Sequence, residues 1–415
     1  MKAAVRDTVS SYVQVDGVNI PLRTKSCTVK KRIGENVVGE GYAYYRNFSI
    51  AAANVDADVT YFPVYLYITD LDKTHILNSG ADFIAKDSAG NRIPLEIESY
   101  NSDGETGILS AWIQLPAISS TEATTFTLHY GSAVEGQPDR DAAYGMEAVW
   151  ESAFKTVHHL ADKTGDATKV TDSSSSDFEG TKSLVGGDTI TEDDGATSDK
   201  CQQWTNADAA GATVIDLGID LALNPSDITV MFWAKHKTVS AQAGVDRGGG
   251  NCYTAVWPKG AYPTFVGKDS AGTGISFTAN NNAPGANDWN HFIFVYGLVG
   301  ETVTHDIYTN GVVCNHSGGG GNGSIKEVIG TQVLLGKYSL SYLNGWMDEV
   351  MILDEIKDAG WYTTLYNALN HRNEAFYTQV GDETGATATT VGSQIEIINQ
   401  ADSKKAKKAR WKLLY

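Results

Sequence analysis

Short runs of apolar, β-branched and aromatic residues recur along the whole chain, separated by Gly, Asn, Asp and Ser. Tyr61–Ile68 (YFPVYLYI), Ile228–Ala234 (ITVMFWA) and Val333–Gly336 (VLLG) have strand length, and sustained helical periodicity is almost absent. Runs of this kind, bounded by turn residues, read as strands of antiparallel sandwiches. The pattern predicts an all-β fold of two antiparallel β-sandwiches, with one short helix near the C-terminus over Ala359–Asn370. At 415 residues the chain exceeds one ordinary core, so more than one domain is expected.

Four parts are expected. Residues 1–40 form a β docking segment with a turn at Asp16-Gly17, and 42–147 form a first sandwich. Residues 148–382 form a second, and 383–415 a Gly/Thr/Ala linker with a basic tail. Val13–Leu22 followed by Ser26–Gly34 resembles the opening segment of many phage tail and baseplate proteins.

Residues 42–132 carry Tyr45-Arg46, Gly80-Ala81-Asp82-Phe83, Asp87, Gly90, Ile97-Glu98-Ser99-Tyr100, Trp112-Ile113-Gln114-Leu115-Pro116 and a closing Tyr130-Gly131. This set resembles a domain of unknown function recurrent in prokaryotic surface and phage proteins. His129 stands in place of the first aromatic of its closing pair.

Ala148–Leu160, the Thr171–Thr181 loop, Ile228–Ala234, Trp289-Asn290-His291, Tyr308–Gly311 and Leu334–Gly381 resemble a laminin-G-like, concanavalin A-like jelly roll. Ser176-Asp177 departs from the Asn-Gly usual in that loop.

Charge narrows the partners. The formal net charge is −18, yet six of the 32 basic residues lie in residues 403–415, which hold no acid. The rest of the chain is left at −24, a body that repels nucleic acid and anionic membrane. No run approaches the ~18–20 apolar residues of a membrane span, and the first residues show no apolar core of an export signal. Cys27, Cys201, Cys252 and Cys314 are widely spaced without a CxxC pair, so free thiols are expected rather than structural zinc.

The jelly-roll class includes glucanases, whose acid/base and nucleophile alternate on one strand, roughly 5–5.5 Å apart. Asp348-Glu349 and Asp354-Glu355 are adjacent, so on a regular strand their side chains face opposite ways. Glu96 and Glu98 alternate correctly but lie in the first sandwich beside a hairpin signal. No Gly-x-Ser-x-Gly elbow is present, and the Gly248–Gly250 and Gly318–Gly321 runs open no helix. No catalytic residue is expected, and the chain is read as a non-enzyme.

Asp348 sits at the start of an apolar strand, where a carboxylate must be satisfied. The resemblance offers calcium as cofactor, with Asp172 of the Thr171–Thr181 loop as the partner ligand. The alternative is that Asp348 accepts from backbone amides of that loop and holds no metal. Glu349 is expected on the opposite face, in solvent.

Sugars bind to aromatic faces flanked by amides and carboxylates. Tyr253, Trp257, Tyr262, Tyr338, Tyr342 and Trp346 are the candidate glycan-binding residues, weighed against core packing for Trp257 and Trp346.

Taken together, these features predict a virion surface appendage (head fibre, capsid decoration or tail adhesin) made in the host cytoplasm. Its jelly roll would bind host-surface glycans. Residues 1–40 and 393–415 would dock to other virion proteins, and a homo-oligomer is expected. The alternatives are a purely structural virion protein and a bacterial cell-surface adhesin.

Overall fold

The structure is a computed structural model. It describes residues 41–132, 136–184, 189–196, 200–205, 213–237, 243–259, 262–285, 287–339, 341–370 and 376–385. Outside these it describes six short strands: Ala4–Val5, Tyr12–Val15, Val18–Pro21, Cys27–Lys31, Ile395–Asn399 and Ala409–Arg410. The chain divides into two compact units, Tyr44–Thr384 and a unit made from both chain ends, Met1–Ala43 with Gly385–Tyr415.

In the unit of chain ends, Cys27–Lys31 lies between Ala4–Val5 and Ile395–Asn399, and Ala409–Arg410 completes the antiparallel sheet. Ile395–Asn399 has a pairing strand of this same chain on each side. The tail residues Trp411–Tyr415 lie outside the described residues.

Among the described residues, the larger unit is all-β apart from 3-10 turns and one helix. The first sandwich has a three-stranded sheet ordered Val59–Leu71, Gly107–Ile118, Leu95–Asn101. Its second sheet runs Tyr377–Gly385, Tyr44–Ile50, Thr124–Tyr130, Ile84–Asp87, Arg92–Ile93. The Asp87–Asn91 turn closes as its sequence suggests, with the Gly90 amide donating to the Asp87 carbonyl. Tyr377–Gly385 was expected to lie with the jelly roll or its linker. Instead it pairs beside Tyr44–Ile50, and the Tyr67 amide donates to the Tyr377 hydroxyl at 2.8 Å. The boundary at 382 therefore does not separate the sandwiches, because the chain returns to complete the first after building the second.

The jelly roll packs an eight-stranded sheet against an eleven-stranded one. Strands Ile228–His236, Asn290–Val299 and Gly345–Leu353 are neighbours in the smaller sheet. Their alternate residues go to two cores. Val230, Phe232, Phe292, Phe294, Val350 and Ile352 face the jelly-roll interior. Met231, Trp233, Ile293, Val295, Met351 and Leu353 join a second cluster with Val64, Trp112, Trp150 and Trp361. A strand apolar at every position is what burial on both faces requires. The helix Ala359–Leu369 seals this second core. Its Asp358 cap accepts from the Trp361 amide at 2.8 Å, and Trp361 meets Phe62 edge-on at 5.6 Å between ring centres. Gly360 is required there, since a Cβ would stand 2.4 Å from that of Ala57. No helix of the described residues is long and apolar enough to cross a membrane.

Between the sandwiches, Arg140 donates to the carbonyls of Asp172 at 2.5 Å and Ser174 at 2.9 Å and pairs with Glu147. A protease nick within 136–141 is therefore expected to leave the halves together. The cut chain should elute from gel filtration as one species in native buffer and separate only in denaturant. Two species without denaturant would contradict a shared core.

His291 is buried beside Trp233 (ring centres 5.1 Å), and burial pushes its pKa down to about 3 from 6.5. Burial shifts His158 downward as well. For a depressed histidine the unfolded chain takes up the proton first. Its stability contribution is thus complete above pH 6.5 and is lost as pH falls toward 3. From His291 alone this amounts to about 2 kcal/mol by pH 5. His159 and Glu349, shifted upward, act in the opposite sense over this range, so the contribution is read as a difference: between pH 7 and 5 the wild-type denaturant midpoint should fall relative to that of His291→Phe.

Candidate functional site

The six expected glycan-binding aromatics do not form one surface. Tyr253 and Trp257 are fully buried in the jelly-roll core. The Tyr253 hydroxyl donates to the Leu223 carbonyl at 2.8 Å, and Trp257 packs 4.9 Å from Phe292 between ring centres. Both share strand parity with Ala255 and point inward, so neither is available to a ligand. Tyr262, at the turn pairing with Lys259, packs half-buried against the same core.

Tyr338, Tyr342 and Trp346 remain partly exposed. Tyr338 and Tyr342 sit on a tight hairpin, paired with Ser341 and Lys337, and Lys337 Nζ lies 6.0 Å from the Tyr342 ring centre. Trp346 stands between Lys235 and Gln203 in register. Lys235 Nζ and Lys237 Nζ each lie 4.9 Å from its ring centre, within cation–π range. Its indole N–H donates to Asp193 at 2.9 Å, and that bond is the main cause holding the Asp193 carboxyl below its usual range. Among the described residues neither Lys235 nor Lys237 forms an ion pair. Trp346 thus offers an aromatic face with two ammonium groups beside it on the eight-stranded sheet, while Tyr338 and Tyr342 stand on the hairpin of the other sheet.

Asp172 and Asp348 are both fully buried. Asp172 accepts from the amides of Val157 (2.9 Å), Ser174 (2.9 Å) and Phe178 (2.8 Å). Asp348 accepts from the Ala196 amide at 2.7 Å and from the Glu349 amide at 2.9 Å. These two amides belong to residues 196 and 349 rather than to the Thr171–Thr181 loop.

Glu349 departs most from expectation: it is 1 % exposed, not solvated. Between the pairs Met231–Met351 and Trp233–Asp348, the strand Gly345–Leu353 carries one residue more than its partner. Glu349 has φ +49°, the left-handed conformation of a β-bulge. The extra residue breaks the alternation and turns Glu349 toward the junction of the sandwiches.

There it meets two segments. His159 Nδ1 lies 2.8 Å from Glu349 Oε2 and 3.0 Å from Glu98 Oε1, while Nε2 is 3.4 Å from Glu96 Oε2. Trp150 and Ser173 donate to Glu96 at 2.8 and 2.5 Å, and Trp112 donates to Glu98 at 2.6 Å. Burial opposes charge on His159, but attraction by Glu349, then Glu98, then Glu96 outweighs it and lifts the pKa well above the usual value. Burial likewise pushes the Glu349 carboxyl upward, against the pull of His159. Glu98, His159 and Glu349 bring ligand atoms within 4.8 Å of one another, the one such group among the described residues. The alternation of Glu96 and Glu98 is visible in sequence, but their convergence with His159 and Glu349 is not.

Residues 209–359 match the family model described as the Concanavalin A-like lectin/glucanases superfamily. That stretch is a concanavalin A-like, laminin-G-type domain within an all-β protein. A search of curated proteins gave no match. Among solved structures, domain 4 of AbnA, a GH43 extracellular arabinanase from Geobacillus stearothermophilus, in complex with arabinotriose, is 17% identical. It covers 52% of this chain and 100% of its own, with a TM-score of 0.35. The binding domain of botulinum neurotoxin DC in complex with SialylT is 14% identical over 52% of each chain, with a TM-score of 0.38. The receptor binding domain of botulinum neurotoxin C/D mosaic serotype is 11% identical, over 52% of this chain and 51% of that one, with a TM-score of 0.37. This chain thus spans about half the length of the neurotoxin domains, and at these scores the overlays carry no argument.

The amide bonds of Asp348 set an expected cost. Asp348→Ala should destabilise the chain by about 1–3 kcal/mol by leaving the Ala196 amide unmet. Denaturant melts of both proteins in calcium and in EDTA should show the same difference. A difference that appears only with calcium would support a metal at Asp348.

Proposed function

We propose that this chain is a non-enzymatic, glycan-binding virion appendage whose jelly roll takes sugar on the face of Trp346. The observation that supports it most is Trp346, half-exposed on a concanavalin A-like sandwich with Lys235 and Lys237 at its ring. An aromatic face accepts the C–H face of a sugar ring, and ammonium groups beside it favour an acidic sugar over a neutral one. The cationic patch stands out on a body whose charge is otherwise strongly negative.

Attachment to a particle draws support from the resemblance of Val13–Leu22 and Ser26–Gly34 to the opening segment of phage tail and baseplate proteins. The pairing of Cys27–Lys31 with Ile395–Asn399 adds to it, since the two candidate docking segments belong to one β unit. A purely structural virion protein is the second reading, favoured by the burial of Tyr253 and Trp257. A bacterial cell-surface adhesin would share the glycan site and differ only in what the terminal unit holds.

The full chain on a glycan array decides between binding and bracing. Binding to uronic- or sialic-acid-containing glycans is expected, and Trp346→Ala should weaken it roughly tenfold or more, a loss of at least ~1.4 kcal/mol. The variant should stay folded under assay conditions, losing about 1–2 kcal/mol with the Asp193 bond and the cation–π contacts. Silence across the array would sink the adhesin reading and leave the structural one.

A further inference from the structure

The sandwich junction carries a chemistry that glycan binding does not use. Three carboxylates, Glu96, Glu98 and Glu349, surround one imidazole where every side chain is at most 8% exposed. Among the described residues, Glu96 and Glu98 have His159 as their sole cationic partner. Carboxylates this deep are costly unless positive charge or hydrogen bonds compensate them. We infer that Glu98, His159 and Glu349 bind a single divalent transition-metal cation of the Zn2+ or Mn2+ class, with Glu96 as the outer support of the imidazole.

The distances fit such a role. Metal–ligand bonds of about 2.0–2.2 Å place the ligand atoms of one ion roughly 3.3 Å apart. His159 Nδ1 already stands 2.8 and 3.0 Å from the two carboxylate oxygens. The imidazole's other nitrogen, Nε2, is buried without a hydrogen bond and lies 3.4 Å from Glu96 Oε2. A ligating histidine holds its second N–H toward a carboxylate in this way. Glu96 is itself fixed by Trp150 and Ser173, and Glu98 by Trp112, so the outer partners are in place. One imidazole with two carboxylates and no thiolate suits zinc or manganese, whereas calcium prefers six to eight oxygens.

The ligands come from three segments: the strand Leu95–Asn101, the residue after Phe154–His158, and the Glu349 bulge. An ion there ties the first sandwich to the second.

The test uses the full chain, stripped with dipicolinate and titrated with Co2+ as a spectroscopic probe. One equivalent should bind, and tryptophan emission should be quenched, because Trp112 and Trp150 lie 5.3 and 5.6 Å from the His159 ring. Zn2+ should displace the cobalt. Glu349→Gln and Glu98→Gln keep the shape of the site and should each weaken binding at least tenfold. Trp346→Ala should leave the titration unchanged, which separates this site from the glycan face. Absence of one-equivalent binding by the wild type would overturn the inference. So would folded glutamine variants that bind as tightly as wild type, and the junction would then be a proton-held ion-pair cluster. If the variants fail to fold, the wild-type cobalt form decides by NMR. One paramagnetically shifted imidazole N–H supports the site, and none refutes it.

Discussion

Two sandwiches share one apolar core, and this sharing constrains every other feature of the larger unit. The sheet built on Ile228–His236, Asn290–Val299 and Gly345–Leu353 serves two interiors, so none of its central positions can be left polar without a partner. Gly107–Ile118 is in the same position on the other side, with Ala111, Trp112 and Ile113 consecutively buried. Such a junction gains apolar burial from both sandwiches at once, at roughly 25 cal/mol per Å². It also turns any polar group inside it into a group that must be matched.

The Glu96–Glu98–Glu349–His159 cluster is the polar island in that junction, and its surroundings show the matching. Each indole N–H that reaches it, from Trp112 and Trp150, ends on a carboxylate oxygen. Arg140, just before the second sandwich, anchors the Asp172 loop, whose Ser173 in turn donates to Glu96. The connection between the sandwiches is therefore an extension of the junction rather than a loose joint. The exposed Trp346 face lies on the same sheet and takes its cations from the neighbouring strand.

The fold class was legible because strand signals here are strong and turn residues separate them cleanly. The apolar run at Ile228–Ala234 also held more information than a strand assignment uses. Apolar residues at both parities report burial on two faces, which foretells the shared core. The return of Tyr377–Gly385 to the first sandwich left no such signal, since most of that strand is polar. Tyr253 proves to be a core residue, and for Trp257 the core alternative holds, because aromatics near Gly-rich turns look like ligand platforms until strand parity is known. His159 lies 61 residues from Glu98 and Glu349 another 190, so only the sheet register brings them together.

Asp348 and Glu349 show how one residue of register can separate two functions. On an ideal strand they would face opposite sides, one inward and one to solvent. The bulge sets both inside: Asp348 pins the Ala196 amide, while Glu349 crosses to His159. A glutamate at φ +49° is strained, by about 1–3 kcal/mol for such conformations, and persists only where its surroundings over-determine it. Removing the extra residue would restore regular pairing with Ile228–His236 and relieve that strain. It would also force either the 345–347 side or the 350–353 side of the strand out of parity with its core. Trp346 could then leave the solvent face, or Val350 and Ile352 the jelly-roll interior. The bulge therefore keeps the outer aromatic face and the two-sided core compatible on one strand, and the inward glutamate follows from that geometry.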